Sequence, residues 1–137
     1  MALSKAEKQE FLSQPHIAAF SVVEPGRGPL TVPVWYDYKP GGRPTVILDP
    51  KSRKMRAIEA AGRFTLMVDT VTPRTMYVSV EGPVVEVRPT PWSEFEYMAG
   101  RYLEGEAFES YLKFSEQQEM VTVTLEPEHW LGLDLTR

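Results

Sequence analysis

Val32, Val34, Tyr36 and Tyr38 alternate with Thr31, Pro33, Trp35 and Asp37 in one uninterrupted run, and this run constrains the fold more than any other segment. A period of two marks a half-buried β-strand, because a helix would scatter those residues around its circumference. Pro33 cannot donate a ladder hydrogen bond, so the strand belongs at a sheet edge or carries a bulge. Turn residues bound the run on both sides: Pro25-Gly26-Arg27-Gly28-Pro29 before it and Lys39-Pro40-Gly41-Gly42-Arg43-Pro44 after it. The second turn reads as a hairpin, with Thr45 to Leu48 returning on the first strand.

The rest of the chain follows the same pattern of short elements. Ile17 to Val23, Phe64 to Asp69, Met76 to Val87 and Met120 to Leu125 read as strands, for about six in all. The long one is interrupted at Gly82-Pro83, where a bend or bulge is expected. Ser4 to Ser13 reads as a helix opened by a capping box, Ser4 with Glu7. Ser52 to Ala61 reads as a second helix, stopped by Gly62. Thr90 reads as a cap with Pro91 in the first helical position, opening a helix that carries Trp92, Phe95, Met98, Ala99 and Tyr102. A short helix from Ala107 to Ser115 follows, and His129-Trp130-Leu131 closes the chain as an anchoring tail. This order does not repeat as βαβ, and short turns favour antiparallel pairing. The expected architecture is a mainly β antiparallel barrel or strongly curved sheet with peripheral helices, in one domain over residues 1–137.

Composition narrows the chemistry. There are no cysteines and only two histidines, His16 and His129, so thiolate chemistry and a histidine-based metal centre are not expected. No G-x-S-x-G is present, which argues against a serine hydrolase. A net charge of −4 argues against nucleic acid. No run approaches the ~20 apolar residues that span a bilayer. The polar N-terminal residues do not read as a signal peptide, and a cytoplasmic location is the expectation.

One segment departs from the acidic balance. In Asp49-Pro50-Lys51-Ser52-Arg53-Lys54-Met55-Arg56, four of the last six residues are basic, and they fall where a strand passes into a helix start. That end of a helix offers free N–H groups and the positive pole of the dipole, so basic side chains there imply an anion that compensates them. Phosphate fits, with a hydroxyl from Ser52 and charge from Arg53 and Lys54. The same residues also suit a solvated basic turn. Beside them, Pro33-Val34-Trp35 offers a flat apolar surface for an aromatic ring, and equally suits core packing. Met76-Tyr77 and His129-Trp130 carry the same two readings. Glu116-Gln117-Gln118-Glu119 reads as a solvated loop.

Taken in order, Phe11-Leu12 to Phe20, Pro33-Val34-Trp35-Tyr36-Asp37-Tyr38, Ser52-Arg53-Lys54-Met55-Arg56 and Tyr77-Val78-Ser79-Val80-Glu81-Gly82 resemble the pyridoxamine-phosphate-oxidase-like superfamily of FMN-binding split barrels. Within it the chain looks most like the flavin/deazaflavin oxidoreductases that use coenzyme F420. The resemblance implies a six-stranded antiparallel split β-barrel, assembled as a homodimer with cofactor between subunits. It implies that Ser52, Arg53 and Lys54 hold the cofactor phosphate. Pro33, Val34, Trp35, Leu48 and Asp49 would line the ring, and Tyr77 and Trp130 would approach from the other subunit. Lys51, Arg56 and Arg63 are candidates for the acidic tail of F420. Ala57 departs from the family, which often has Asn there. The implied reaction is hydride transfer from reduced F420 to an unsaturated planar small molecule. FMN as the cofactor of an oxidase or flavin reductase is the nearest alternative, and non-catalytic binding of a flavin or tetrapyrrole is another.

Overall fold

The computed structural model describes residues 1–137. Helix α1 (Lys5–Ser13) precedes strands β1 (Ala18–Val22), β2 (Leu30–Val34) and β3 (Thr45–Leu48). Helix α2 (Arg53–Ala61) leads into β4 (Arg63–Thr70) and β5 (Met76–Pro89). Helices α3 (Trp92–Gly100) and α4 (Gly105–Ser115) then precede β6 (Val121–Leu125) and β7 (His129–Asp134). All strand pairs are antiparallel, in the order β2-β1-β4-β5-β6-β3, with β7 added on β5. The sheet curls into a half-barrel, the split barrel expected from the sequence.

Strand β5 produces the curl by serving both halves of the sheet. Its first half lies between β4 and β7; its second half pairs with β6 after a register shift between Val84 and Glu86. Gly82 stands at this change of partner. A Cβ there would lie 1.8 Å from the Glu126 carbonyl oxygen, so only glycine lets the two backbones approach.

The concave face is filled by alternate residues of every strand, among them Phe20, Leu66, Val78, Val80, Val123 and Leu125, all at 0% exposure. The Phe20 and Phe64 rings meet at 5.0 Å. Tyr36 is fully buried, and its hydroxyl lies 2.6 Å from the Leu12 carbonyl and 2.9 Å from that of Gln14. This fixes the end of α1 to the barrel. The capping box of α1 forms as expected: Ser4 Oγ accepts from Glu7 N at 3.1 Å and Glu7 Oε1 from Ser4 N at 2.8 Å. Helix α2 is capped by Ser52 and ended by Gly62 at φ 75°.

Three local expectations are corrected. First, β3 does not return on β2. The Lys39–Gly42 turn forms, with Gly42 N donating to Lys39 C=O at 2.8 Å, but the strands touch only at the Asp37–Thr45 bridge before they diverge. Strand β3 pairs instead with β6, and in that position Val46 and Leu48 are buried in the core. Second, the C-terminal segment is a seventh strand rather than a tail. Its alternation is inverted: Gly132 and Asp134 are buried while Leu131 is exposed, so polarity conceals the strand. Third, Pro91 rather than Thr90 is the N-cap of α3, and the Thr90 hydroxyl is engaged 2.8 Å from that of Thr122. No helix is long and apolar enough to cross a membrane.

Candidate functional site

Where β2 and β3 part, a cavity of about 490 Å³ opens between them. Each strand has a single partner, β1 for β2 and β6 for β3, so each keeps an unpaired edge along this split. Pro33, Val34 and Trp35 line one side; Ile47 and Leu48 line the other. Lys54, in the first turn of α2, is the only charged side chain on the wall.

The remaining wall comes from α3 and α4. Phe95, Met98 and Tyr111 close the cavity together with Met120 ahead of β6. Aromatic packing holds these helices over the split. Trp35 stacks on Tyr102 at 5.0 Å with planes 8° apart, and meets Tyr111 at 5.2 Å. Phe95 and Tyr111 are parallel within 1° at 5.7 Å. Arg101 fastens the end of α3: Nε donates to the Tyr36 carbonyl at 3.0 Å, and an Nη lies 3.3 Å from Asp37. Its guanidinium sits 5.7 Å from the centres of the Tyr36 and Tyr102 rings. Burial pushes the Tyr102 and Tyr111 phenols above their ordinary value, and the Tyr102 hydroxyl donates to the His16 carbonyl at 2.8 Å.

Five of the residues singled out in the sequence therefore meet on one cavity: Pro33, Val34, Trp35, Leu48 and Lys54. Asp49, Ser52 and Arg53 adjoin it at the entry to α2 without lining it. Asp49 shapes the turn, accepting from Lys51 N at 2.8 Å through its carboxylate and from Ser52 N at 3.0 Å through its carbonyl. Ser52 Oγ accepts from Met55 N at 3.2 Å, which leaves its own hydroxyl proton free to donate. Arg53 is held by Glu24. The first-turn amides of Arg53 and Lys54 lie beyond the reach of any helical carbonyl.

Tyr77 and Trp130 lie away from this cavity. Tyr77 sits between Asp69 and Leu133 on the convex face. Trp130 points the other way and packs edge-on to Tyr38 at 6.0 Å. Of the tail candidates, Lys51 and Arg56 stay beside the α2 entry, where an Arg56 Nη donates to the Lys51 carbonyl at 2.9 Å. Arg63 is taken up by Glu81 and Glu128. Ala57 is buried and contributes no polar group. His16 bonds the Phe11 carbonyl through Nε2 at 3.0 Å, and His129 is exposed beside Glu81 and Glu128.

Sequence reasoning did not assign the helical wall to the site. Phe95 and Met98 stood out only by their helical spacing, and the helix that carries Tyr111 read as a peripheral element. Arg27 belongs to the β1–β2 turn, and its charge helps lower the Glu24 carboxyl after the hydrogen bond from Arg53. No spacing in the sequence links it to α2.

No family model matches the sequence, and no curated protein does. Solved structures do resemble the fold. An F420 reductase superposes with a TM-score of 0.71 at 20% identity, covering 89% of this chain and 94% of its own. A conserved hypothetical protein from Mycobacterium tuberculosis gives 0.72 at 17% identity, over 96% and 85% of the two chains. A FAD-binding protein from Mesorhizobium loti gives 0.62 at 18% identity, over 96% and 93%. The chain has the split-barrel fold that these proteins share.

Proposed function

We propose that the cavity binds the ring of a flavin-type cofactor, coenzyme F420 in the first place, and that the protein is an oxidoreductase reducing a planar unsaturated small molecule. The observation that carries this reading is an apolar cavity of about 490 Å³ with one cationic group, Lys54, at a helix start. Its size falls within the range of ligand sites, roughly 300–1,000 Å³. The donor set fits such a cofactor part by part. The apolar edges at Pro33–Trp35 and Leu48 suit the faces of a flat ring, and unpaired backbone groups along the split suit its polar rim. The Lys54 ammonium, the Ser52 hydroxyl and the first-turn amides of α2 suit a phosphate.

Bound there, the cofactor supplies the hydride. The chain's own residues bind, orient and exclude water. Lys54 anchors the charged end, so the ring takes one position along the split. Phe95, Met98, Tyr111 and Met120 present an apolar surface to a second flat molecule and keep bulk water from the reacting faces. The Lys51 and Arg56 side chains, with Arg27, provide positive charge for an acidic cofactor tail, and this favours F420. FMN carries the same phosphate and remains the alternative cofactor.

The reading includes a homodimer. On the convex face, Pro33, Ala19, Met67, Ser79 and Leu131 form one cross-strand row over β2, β1, β4, β5 and β7. Met67 is 36% exposed and Leu131 66%. Pro33 belongs to this row and to the cavity wall, so a second copy on the face would border the site. Tyr77, on the same face, would reach the partner's cavity from there.

Turnover tests the proposal. The purified protein should oxidise reduced F420 in the presence of planar acceptors such as quinones or nitroaromatics. Turnover with reduced FMN alone would move it to the flavin enzymes. Tight cofactor binding without turnover across an acceptor panel would make it a binding protein.

A further inference from the structure

At the basic end of the cavity, Arg53 is already engaged. Its guanidinium grips both carboxylate oxygens of Glu24, with Nε at 3.1 Å and Nη2 at 2.5 Å. Glu24 lies in the β1–β2 turn, 29 residues earlier, and is the more buried partner, at 18% side-chain exposure against 48% for Arg53. The Arg53 contact, assisted by the charges of Arg27 and Arg56 and opposed by burial, holds the Glu24 carboxyl below the usual carboxylate range. A carboxylate therefore occupies the Arg53 guanidinium, with the charges of Arg27 and Arg56 acting on it, at the helix start whose next residue, Lys54, faces the cavity.

We infer that Glu24 is a built-in competitor for that phosphate, occupying the Arg53 guanidinium until the phosphate displaces it, an inference that rests on the cofactor reading above. A carboxylate and a phosphate oxygen make the same charge-assisted, two-pronged contact with a guanidinium, and Arg53 cannot satisfy both in full. Glu24 thus lowers the affinity for phosphorylated ligands and leaves ring binding untouched. It also charges against any ligand whose anionic group is too weak to displace it. A pair that only ties the turn to α2 would behave differently, changing stability but not ligand preference.

Calorimetric titration separates the two. Wild type and Glu24→Gln are titrated with FMN and riboflavin, and with F420 and its phosphate-free deazaflavin ribityl core. The expected result is that Glu24→Gln tightens the phosphorylated ligand roughly fivefold, the scale of one exposed ion pair, and leaves the phosphate-free ligand unchanged. The gain should vanish when Arg53→Gln is added, and Glu24→Asp, with a shorter arm, should fall between. Equal affinities in wild type and Glu24→Gln, or a gain shared by the phosphate-free ligand, would overturn the inference. A wild type that binds neither phosphorylated ligand would overturn the cofactor reading itself.

Discussion

Lys54 is the only charge on an otherwise apolar wall, and that isolation gives it leverage. Removing one partner of a charge-assisted contact costs about 1.5–3 kcal/mol. Lys54→Ala should therefore weaken the phosphorylated cofactor roughly ten- to a hundredfold, measured by titration, with little change in thermal stability. The basic run from Lys51 to Arg56 was legible as a concentration of charge at a helix start, because charge density survives without a structure. What the sequence hid was the division of labour. Ser52, Arg53 and Lys54 are adjacent, yet one caps the helix, one is paired with Glu24 and one faces the cavity. Helical geometry points neighbours about 100° apart, and the partner of Arg53 comes from a remote turn, which no local spacing announces.

Elements were legible where their signals are local. The cap of α1, the Gly62 stop of α2 and the bend in β5 all follow from residues within a few positions. Pairing was not, because a strand chooses its partner by burial. The Pro40-Gly41 turn invited a β2–β3 hairpin, but the core draws β3 to β6, and the cavity exists because the hairpin fails to close. Strand β7 was hidden for a related reason, two of its inward positions beside Trp130 being Gly132 and Asp134. Gly82 is the residue on which β5 turns from one half of the sheet to the other. Gly82→Ala would drive a methyl into the Glu126 carbonyl, and the backbones must separate to admit it. The expected loss is about 3 kcal/mol or more, seen as a lower denaturant midpoint; an unchanged midpoint would contradict the close approach.

At the scale of the molecule, the two ends of the chain are clasped together. Arg137 pairs with Glu7 at 2.6 Å, and buried Asp134 accepts from the Thr136 hydroxyl at 2.6 Å and from Arg74 Nε at 2.5 Å. The Thr136 contact, then Arg74, holds the Asp134 carboxyl well below its usual range; Arg137, with Ser4, brings Glu7 down to about 2. Both groups are favoured ionised by folding. Their stabilisation is complete above the ordinary carboxylate range and fades as pH falls through it toward the lowered values. Melting temperature should therefore drop in acid, and Asp134→Asn should melt lower at neutral pH with a shallower acid decline. The convex face makes a second prediction at this scale. If a second copy covers the row through Met67 and Leu131, Leu131→Glu should give a folded monomer by light scattering, with weakened cofactor binding. The half-barrel itself was readable from strand lengths and turns; the apolar convex row depends on cross-strand register and was not.

The most direct test of the cofactor site is a fluorescence-quenching titration of the wild-type protein with F420 and, separately, with FMN. The account predicts saturable binding in the micromolar range or tighter, with F420 preferred and with Lys54→Ala shifting the curve to weaker affinity. No saturable binding of either cofactor, or binding indifferent to Lys54, would contradict it.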